Sequence, residues 1–177
     1  MHTVIASVLC KLGDFKYTTK KHIVMKTTNI NKVLIALDYD PSAKKVAEVG
    51  FTFANAMHAE IVLIHVVVDL VAYSLTYLNL GPMQLDSVTE LRDASEQFLQ
   101  KTKLHLGNEN IQTVVREGDF ATCILDTIKE MDIDVIVMGS HSRKWLENIL
   151  LGSVTADVLE HTTIPMFIVP TKKGDKD

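Results

Sequence analysis

Two short groups of residues stand out for the chemistry they could do. Gly139 follows the apolar run Val135-Ile136-Val137-Met138, and Gly152-Ser153-Val154-Thr155 follows thirteen residues later, where an apolar helical pattern begins. A glycine at a strand end lets the backbone turn sharply. A helix that begins at Gly152-Ser153 presents unpaired N–H groups and the positive end of its dipole. The hydroxyls of Ser153 and Thr155 add possible donors, and together these groups make a cradle for phosphate. The same residues also fit a plain turn at Gly139 and a helix cap at Ser153.

The remaining candidates are weaker. Asp38 and Asp40 follow the first apolar run and invite a metal or phospho-acceptor reading, but a receiver domain would want its aspartate just after the third strand, where the chain reads Arg116-Glu117-Gly118-Asp119. Ser42-Ala43-Lys44-Lys45 has the spacing of a nucleophilic Ser-x-x-Lys pair without its companion motifs, and a helix cap explains Ser42 better. Ser140 and His141 lack a nucleophile elbow. His65 reads as a hydrogen-bonded, partly buried histidine, and His58, His105 and His161 as helix-end residues that favour the negative pole of the dipole. Cys10 and Cys123 have neither disulfide nor metal spacing, and Cys123 reads as a small buried apolar residue.

The elements that would position these residues alternate along the chain. Val33–Leu37, Ile61–Val68, Gln112–Glu117, Val135–Met138 and Met166–Val169 read as strands, short apolar runs bounded by turn residues. Between them, Ala43, Val46, Ala47, Gly50, Ala54 and Met57 fall on one helical face. Ser87-Val88-Thr89-Glu90 reads as a capping box opening a helix that Gly107-Asn108 ends. Ala121, Ile124, Leu125 and Ile128 mark a third helix, and Val154, Val158 and Leu159 a fourth. The connection 69–86, with Gly81-Pro82, is long enough for a lid or binding loop. This βαβαβαβαβ order predicts an α/β fold: a parallel sheet with helices on both faces and any ligand beyond the carboxyl ends of the strands.

The chain has 177 residues, 47% of them apolar and 23% charged, with a net charge of −4. That suits one domain and gives no reason to expect nucleic acid. No run approaches the roughly 20 apolar residues of a membrane span. Residues 1–32 hold six lysines and one acid. Residues 1–25 therefore read as a basic extension, 26–171 as the domain and 172–177 as a polar tail. The cysteine usage fits a reducing, cytoplasmic setting.

The loop and its surroundings resemble the universal stress protein family. That family's pattern is Gly, two residues, Gly, nine residues, Gly, then Ser or Thr. Gly139 and Gly152-Ser153 match it, as do Val137-Met138-Gly139-Ser140-His141 and Leu150-Leu151-Gly152-Ser153-Val154-Thr155. Asp38 after the first strand and His65-Val66 in the second belong to the same resemblance, which covers about 31–169. It implies a five-stranded Rossmann-like sheet in the order 3-2-1-4-5, of the adenine nucleotide alpha hydrolase type. It also implies homodimers through the last strand and ATP, with or without Mg²⁺, as the bound cofactor. Asp38 would contact the adenosine and Val66 the base through its backbone, with Ala36 beside them. Met138 and Gly139 would line the ribose, and Gly152, Ser153, Val154 and Thr155 would hold the phosphates. Ser142 stands where the family has its second glycine. A serine there costs about 1–2 kcal/mol if the backbone needs positive φ, and its hydroxyl offsets part of that if it bonds a phosphate. Arg143 and Lys144 could meet the outer phosphates or stay solvated. Trp145 and Leu146 could mark a partner surface or pack on the last helix. No residue reads as a base that would activate water, so at most slow ATP hydrolysis is expected.

Overall fold

The computed structural model describes residues 29–68, 85–140 and 151–171. The extension 1–25, most of the long connection, Ser142, Arg143, Lys144, Trp145, Leu146 and the tail 172–177 lie outside them. The elements run β1 (Lys32–Ala36), α1 (Ala43–Ala56), β2 (Glu60–Val67), α2 (Leu85–Leu106), β3 (Gln112–Glu117), α3 (Phe120–Glu130), β4 (Val135–Gly139), α4 (Ser153–His161) and β5 (Met166–Val169). All strand pairs are parallel, in the order β3-β2-β1-β4-β5.

Side chains alternate across the sheet, so each face has its own core. Val33, Ile35, Leu63, Val135 and Val137 pack with Val46, Ala47 and Ala54 of α1 and Leu99 of α2. Leu34, Val62, Ile64, Ile136 and Met138 pack with Ala121, Ile124 and Ile128 of α3 and Val158 of α4. The central strands are buried on both sides, which is why they read as unbroken apolar runs.

Several boundaries differ from the sequence reading. β1 stops at Ala36 rather than Leu37: the Leu37 N–H still donates to the Ile64 carbonyl (3.0 Å), but its own carbonyl accepts from His65 Nδ1 (2.7 Å). α2 starts at Leu85, so Ser87 lies inside the helix and not at its cap. Met57 and Leu159, expected on buried stripes, are exposed, because α1 ends at Ala56 and α4 buries only Thr155 and Val158. The exit from α2 is as expected: Gly107 takes φ +68° and its N–H bonds the Leu104 carbonyl (3.1 Å).

Ser42 occupies the N-cap position of α1 without doing a cap's work. It sits in helical φ/ψ and its side chain caps nothing. Asp40 does that work instead: its carbonyl accepts from Ala43 N–H (2.8 Å) and its Oδ1 from Ser42 N–H (2.8 Å). Asp119 is a true cap of α3, with Oδ1 accepting from Thr122 N–H (2.9 Å) and its hydroxyl (2.7 Å). The bond from the Thr122 N–H is the main cause that holds the Asp119 carboxyl below its ordinary pKa of 3.8. We therefore expect Ser42→Ala to leave the chemical-denaturation midpoint unchanged and Asp119→Ala to cost about 1 kcal/mol. The Asp119 contribution is present above its unfolded-state pKa and is lost as pH falls through the lower folded value, so the two variants should converge in acid. A midpoint for Ser42→Ala as low as that of Asp119→Ala would contradict this.

Candidate functional site

The chain winds outward through β1, β2 and β3, then returns to the other side of β1 for β4 and β5. The winding reverses between β1 and β4, which is where open parallel sheets form a crevice at their carboxyl ends. A cleft of about 590 Å³ lies there, within the usual size of a small-molecule site. Ala36, Asp38, Val66, Met138, Gly139, Gly152, Ser153, Val154 and Thr155 all line it. These are nine of the ten site residues expected from sequence; the tenth, Ser142, lies outside the described residues. Four segments far apart in sequence thus converge on one concavity.

Each segment is held there by local chemistry. Asp38 rides on the loop after β1, and its Oδ1 accepts from Asp40 N–H (3.2 Å). That loop is braced from behind by His65. The Leu37 carbonyl can only accept, so His65 carries its proton on Nδ1 and donates it. The buried imidazole lies edge-on to Tyr39, centroids 4.5 Å apart, and Tyr39 shares a hydrogen bond with Ser95 of α2 (3.2 Å). His65 is hydrogen-bonded, as the sequence suggests, and is buried more completely than the partly buried histidine expected.

Gly139 and α4 form the opposite wall. Gly152 is the N-cap of α4, extended at φ −67° and ψ 159°, and with no side chain it caps nothing. The amides of the first turn, Ser153 to Thr155, begin the helix at the rim of the cleft, where the dipole is positive. The Thr155 hydroxyl is buried and donates to the Gly139 carbonyl (3.0 Å). It fastens β4 to α4, so what Thr155 can still donate to a ligand is its amide. Ser140 continues the same seam outward: its N–H donates to the Val169 carbonyl (2.9 Å) and its Oγ accepts from Thr171 N–H (3.1 Å). The site is thus apolar toward Val66, Ile124 and Met138, acidic at Asp38, and rich in amides at α4. That division suits a molecule with a flat apolar part and an anionic tail.

Among the described residues, no group of three or more His, Cys, Asp or Glu side chains could hold a metal ion, and no helix is long and apolar enough to cross a membrane. Cys123 lies outside the cleft, partly buried, with Sγ 3.6 Å from the Glu117 carbonyl. Burial first, and the Asp119 charge second, raise its pKa and keep the thiol protonated. His105 bonds Glu48 across α1 and α2 (2.8 Å), and His161 bonds the Asp157 carbonyl near the end of α4 (2.9 Å). Both are helix-end histidines as expected, and neither reaches the cleft.

The Universal stress protein family model matches residues 29–170. The chain belongs to the universal stress protein family. It is 30% identical over 149 residues to universal stress protein A of Salmonella typhimurium, covering 81% of this chain and 96% of that one. It is 31% identical over 148 residues to that of Yersinia pestis, covering 81% and 93%. Among solved structures, universal stress protein UspA from Lactobacillus plantarum matches with TM-score 0.64 at 20% identity, over 80% of this chain and 99% of the other. A universal stress protein in complex with cAMP matches with TM-score 0.58 at 17% identity, over 82% and 100%. One from Archaeoglobus fulgidus in complex with dAMP matches with TM-score 0.53 at 16% identity, over 80% and 98%. These structural likenesses carry the fold, and the five-stranded family sheet is the one described above.

Two further cleft residues are Ser42, which the sequence assigns to a helix cap and not to a ligand, and Phe120, which it does not single out. Phe120 carried one usable signal: a large aromatic residue at the first position of a helix, immediately behind its capping aspartate and at the carboxyl end of a strand.

Proposed function

We propose that this universal stress protein is a regulatory protein that binds an adenine nucleotide, ATP foremost, in the cleft between β1 and β4, as part of a stress response. The observation that carries the reading is the convergence of Asp38, Val66, Gly139 and the uncapped start of α4 on a single cavity. Asp38 would accept from the ribose, the Val66 backbone would meet the base, and Met138 and Gly139 would flank the sugar. The amides of Ser153, Val154 and Thr155 would donate to the phosphates, with Mg²⁺ entering on the phosphate oxygens. The cAMP and dAMP complexes of two structural neighbours support an adenine nucleotide as the ligand class.

The protein would act in the cytoplasm as a homodimer. β5 is an edge strand, Phe167 on it is half-exposed, and its ring stacks on Phe53 of α1 with centroids 5.1 Å apart. Pairing two copies of β5 would remove that open edge. Hydrolysis is at most slow on this reading, because Asp38 serves the nucleoside rather than a water molecule.

Calorimetry with Mg·ATP at millimolar concentration, together with mass spectrometry of nucleotide released from the purified protein, tests the proposal. Saturable binding with one site per chain supports it. A second reading, a dimeric interaction module that binds no nucleotide, is motivated by Ser142 at the family's glycine position. Silence from both the native chain and Ser142→Gly would favour that module. Binding by the glycine form alone would mark the natural loop as a degenerate site.

A further inference from the structure

Phe120 has no role in the scheme above. It is the first residue of α3, and the Asp119 cap fixes where that helix begins. It continues the stripe of Ile124, which packs with the sheet, and Thr127, which is also buried. One turn earlier the helix has passed the strand ends, so Phe120 lines the cleft and is 38% exposed. Aside from His65, whose ring is engaged with Leu37 and Tyr39, no other aromatic residue lines the cleft among the described residues.

Its place in the fold sets what it can touch. β3 lies beside β2, with Arg116 in register with Val66, and Phe120 follows β3 by three residues. In the order of the strands, Phe120 follows β3, Val66 lies on β2, Asp38 follows β1 and Gly139 ends β4, and all four line the cleft. The amides of α4 belong to the Gly139 end. A ligand with its anionic tail at α4 would therefore carry its flat apolar end toward Val66 and Phe120. An aromatic face there provides a stacking platform for a base and adds little for a phosphate.

We infer that Phe120 is a specificity-determining residue whose ring stacks on the nucleobase, so that the cleft favours purines over the smaller pyrimidines. The inference rests on the nucleotide reading of the same cleft. It is tested with ATP, CTP and inorganic tripolyphosphate as probes, on the full chain and on Phe120→Ala, Phe120→Leu and Phe120→Tyr. The native chain should bind ATP more tightly than CTP. Phe120→Ala should weaken ATP about tenfold. Phe120→Leu, which keeps apolar bulk without a ring, should recover little of that loss, and Phe120→Tyr should stay within about twofold of the native affinity. Tripolyphosphate affinity and the thermal midpoint should be the same in all four, which separates loss of stacking from loss of fold.

Native-like ATP affinity in Phe120→Ala would overturn the inference while leaving the nucleotide reading standing. Full recovery in Phe120→Leu would also overturn it, by reducing the ring to an apolar wall. If the native chain binds no ATP, the nucleotide reading falls and takes this inference with it.

Discussion

Gly152→Asp should lower ATP affinity by more than about a hundredfold while leaving the fold as stable as before or slightly more so. Gly152 sits at φ −67° and ψ 159°, ordinary extended backbone that any residue adopts. The backbone needs no change to carry a side chain there. Aspartate is also a preferred N-cap, and it would accept from the amides of Val154 or Thr155, raising α4 stability by a few tenths of a kcal/mol. Those are the amides that the proposed function assigns to phosphate. The carboxylate would occupy the donors and add a negative charge where the ligand carries its own. Two like charges about 4 Å apart repel by about 4 kcal/mol near a protein surface, and about 1.4 kcal/mol is a factor of ten. Titration calorimetry alongside a thermal melt reads both halves of the prediction. Undiminished ATP binding in this variant would mean that the start of α4 is not where the polyanion sits.

Ile35→Ala should be the most damaging of the stability variants considered, at about 4 kcal/mol. Ile35 lies mid-strand in β1, in register with Leu63 on one side and Val137 on the other, and all three are fully buried. Above it is Gly50 of α1. A Cβ at Gly50 would lie 2.7 Å from Ile35 Cδ1, so the isoleucine fills the space that the glycine leaves. Truncation opens a cavity, and the glycine opposite has no side chain to lean into it. Truncations of a large aliphatic residue to alanine cost about 2–5 kcal/mol, and sites that cannot collapse fall in the upper part of that range. The thermal midpoint should fall by about 10 °C. In urea, the midpoint should drop with an unchanged slope. A loss under about 1 kcal/mol would show that α1 settles onto the sheet to close the gap.

The fold was legible because burial on both faces leaves an unmistakable trace in the chain. The runs of β3 and β5 coincide with the strands to the residue, since Glu117-Gly118 ends one and Pro165 and Pro170 bracket the other. β1 ends one residue before its apolar run does, for a reason no local pattern carries: the Leu37 carbonyl is claimed by a side chain from β2. The capping box at Ser87 was equally misleading, because a hydroxyl followed three residues later by glutamate is tolerated inside a helix as well as at its start.

The site was legible to a similar degree and blurred for similar reasons. Glycines at strand ends and helix starts announce themselves, so Gly139 and Gly152 were found. What a hydroxyl does is decided by its neighbours in space. Thr155 looked like a phosphate donor, yet its hydrogen points to the Gly139 carbonyl. Ser42 looked like a cap, yet Asp40 took that task. A phenylalanine at the head of an amphipathic helix reads as core, and what places Phe120 at the cleft is that it begins α3 in the turn just beyond the carboxyl end of β3.

The strand order has a consequence for the lifetime of the molecule. Asp38 and Val66 belong to the run of chain that builds β1 to β3, whereas Gly139 and Gly152–Thr155 belong to the run that builds β4 to β5. Anything seated between them rivets two halves whose main strand contact is the β1–β4 pairing. At a free concentration a hundred times its Kd, such an occupant adds about 2.7 kcal/mol to the work of pulling them apart. On the nucleotide reading, a cell whose adenylate pool runs down would hold the same chain in a form that proteases open sooner.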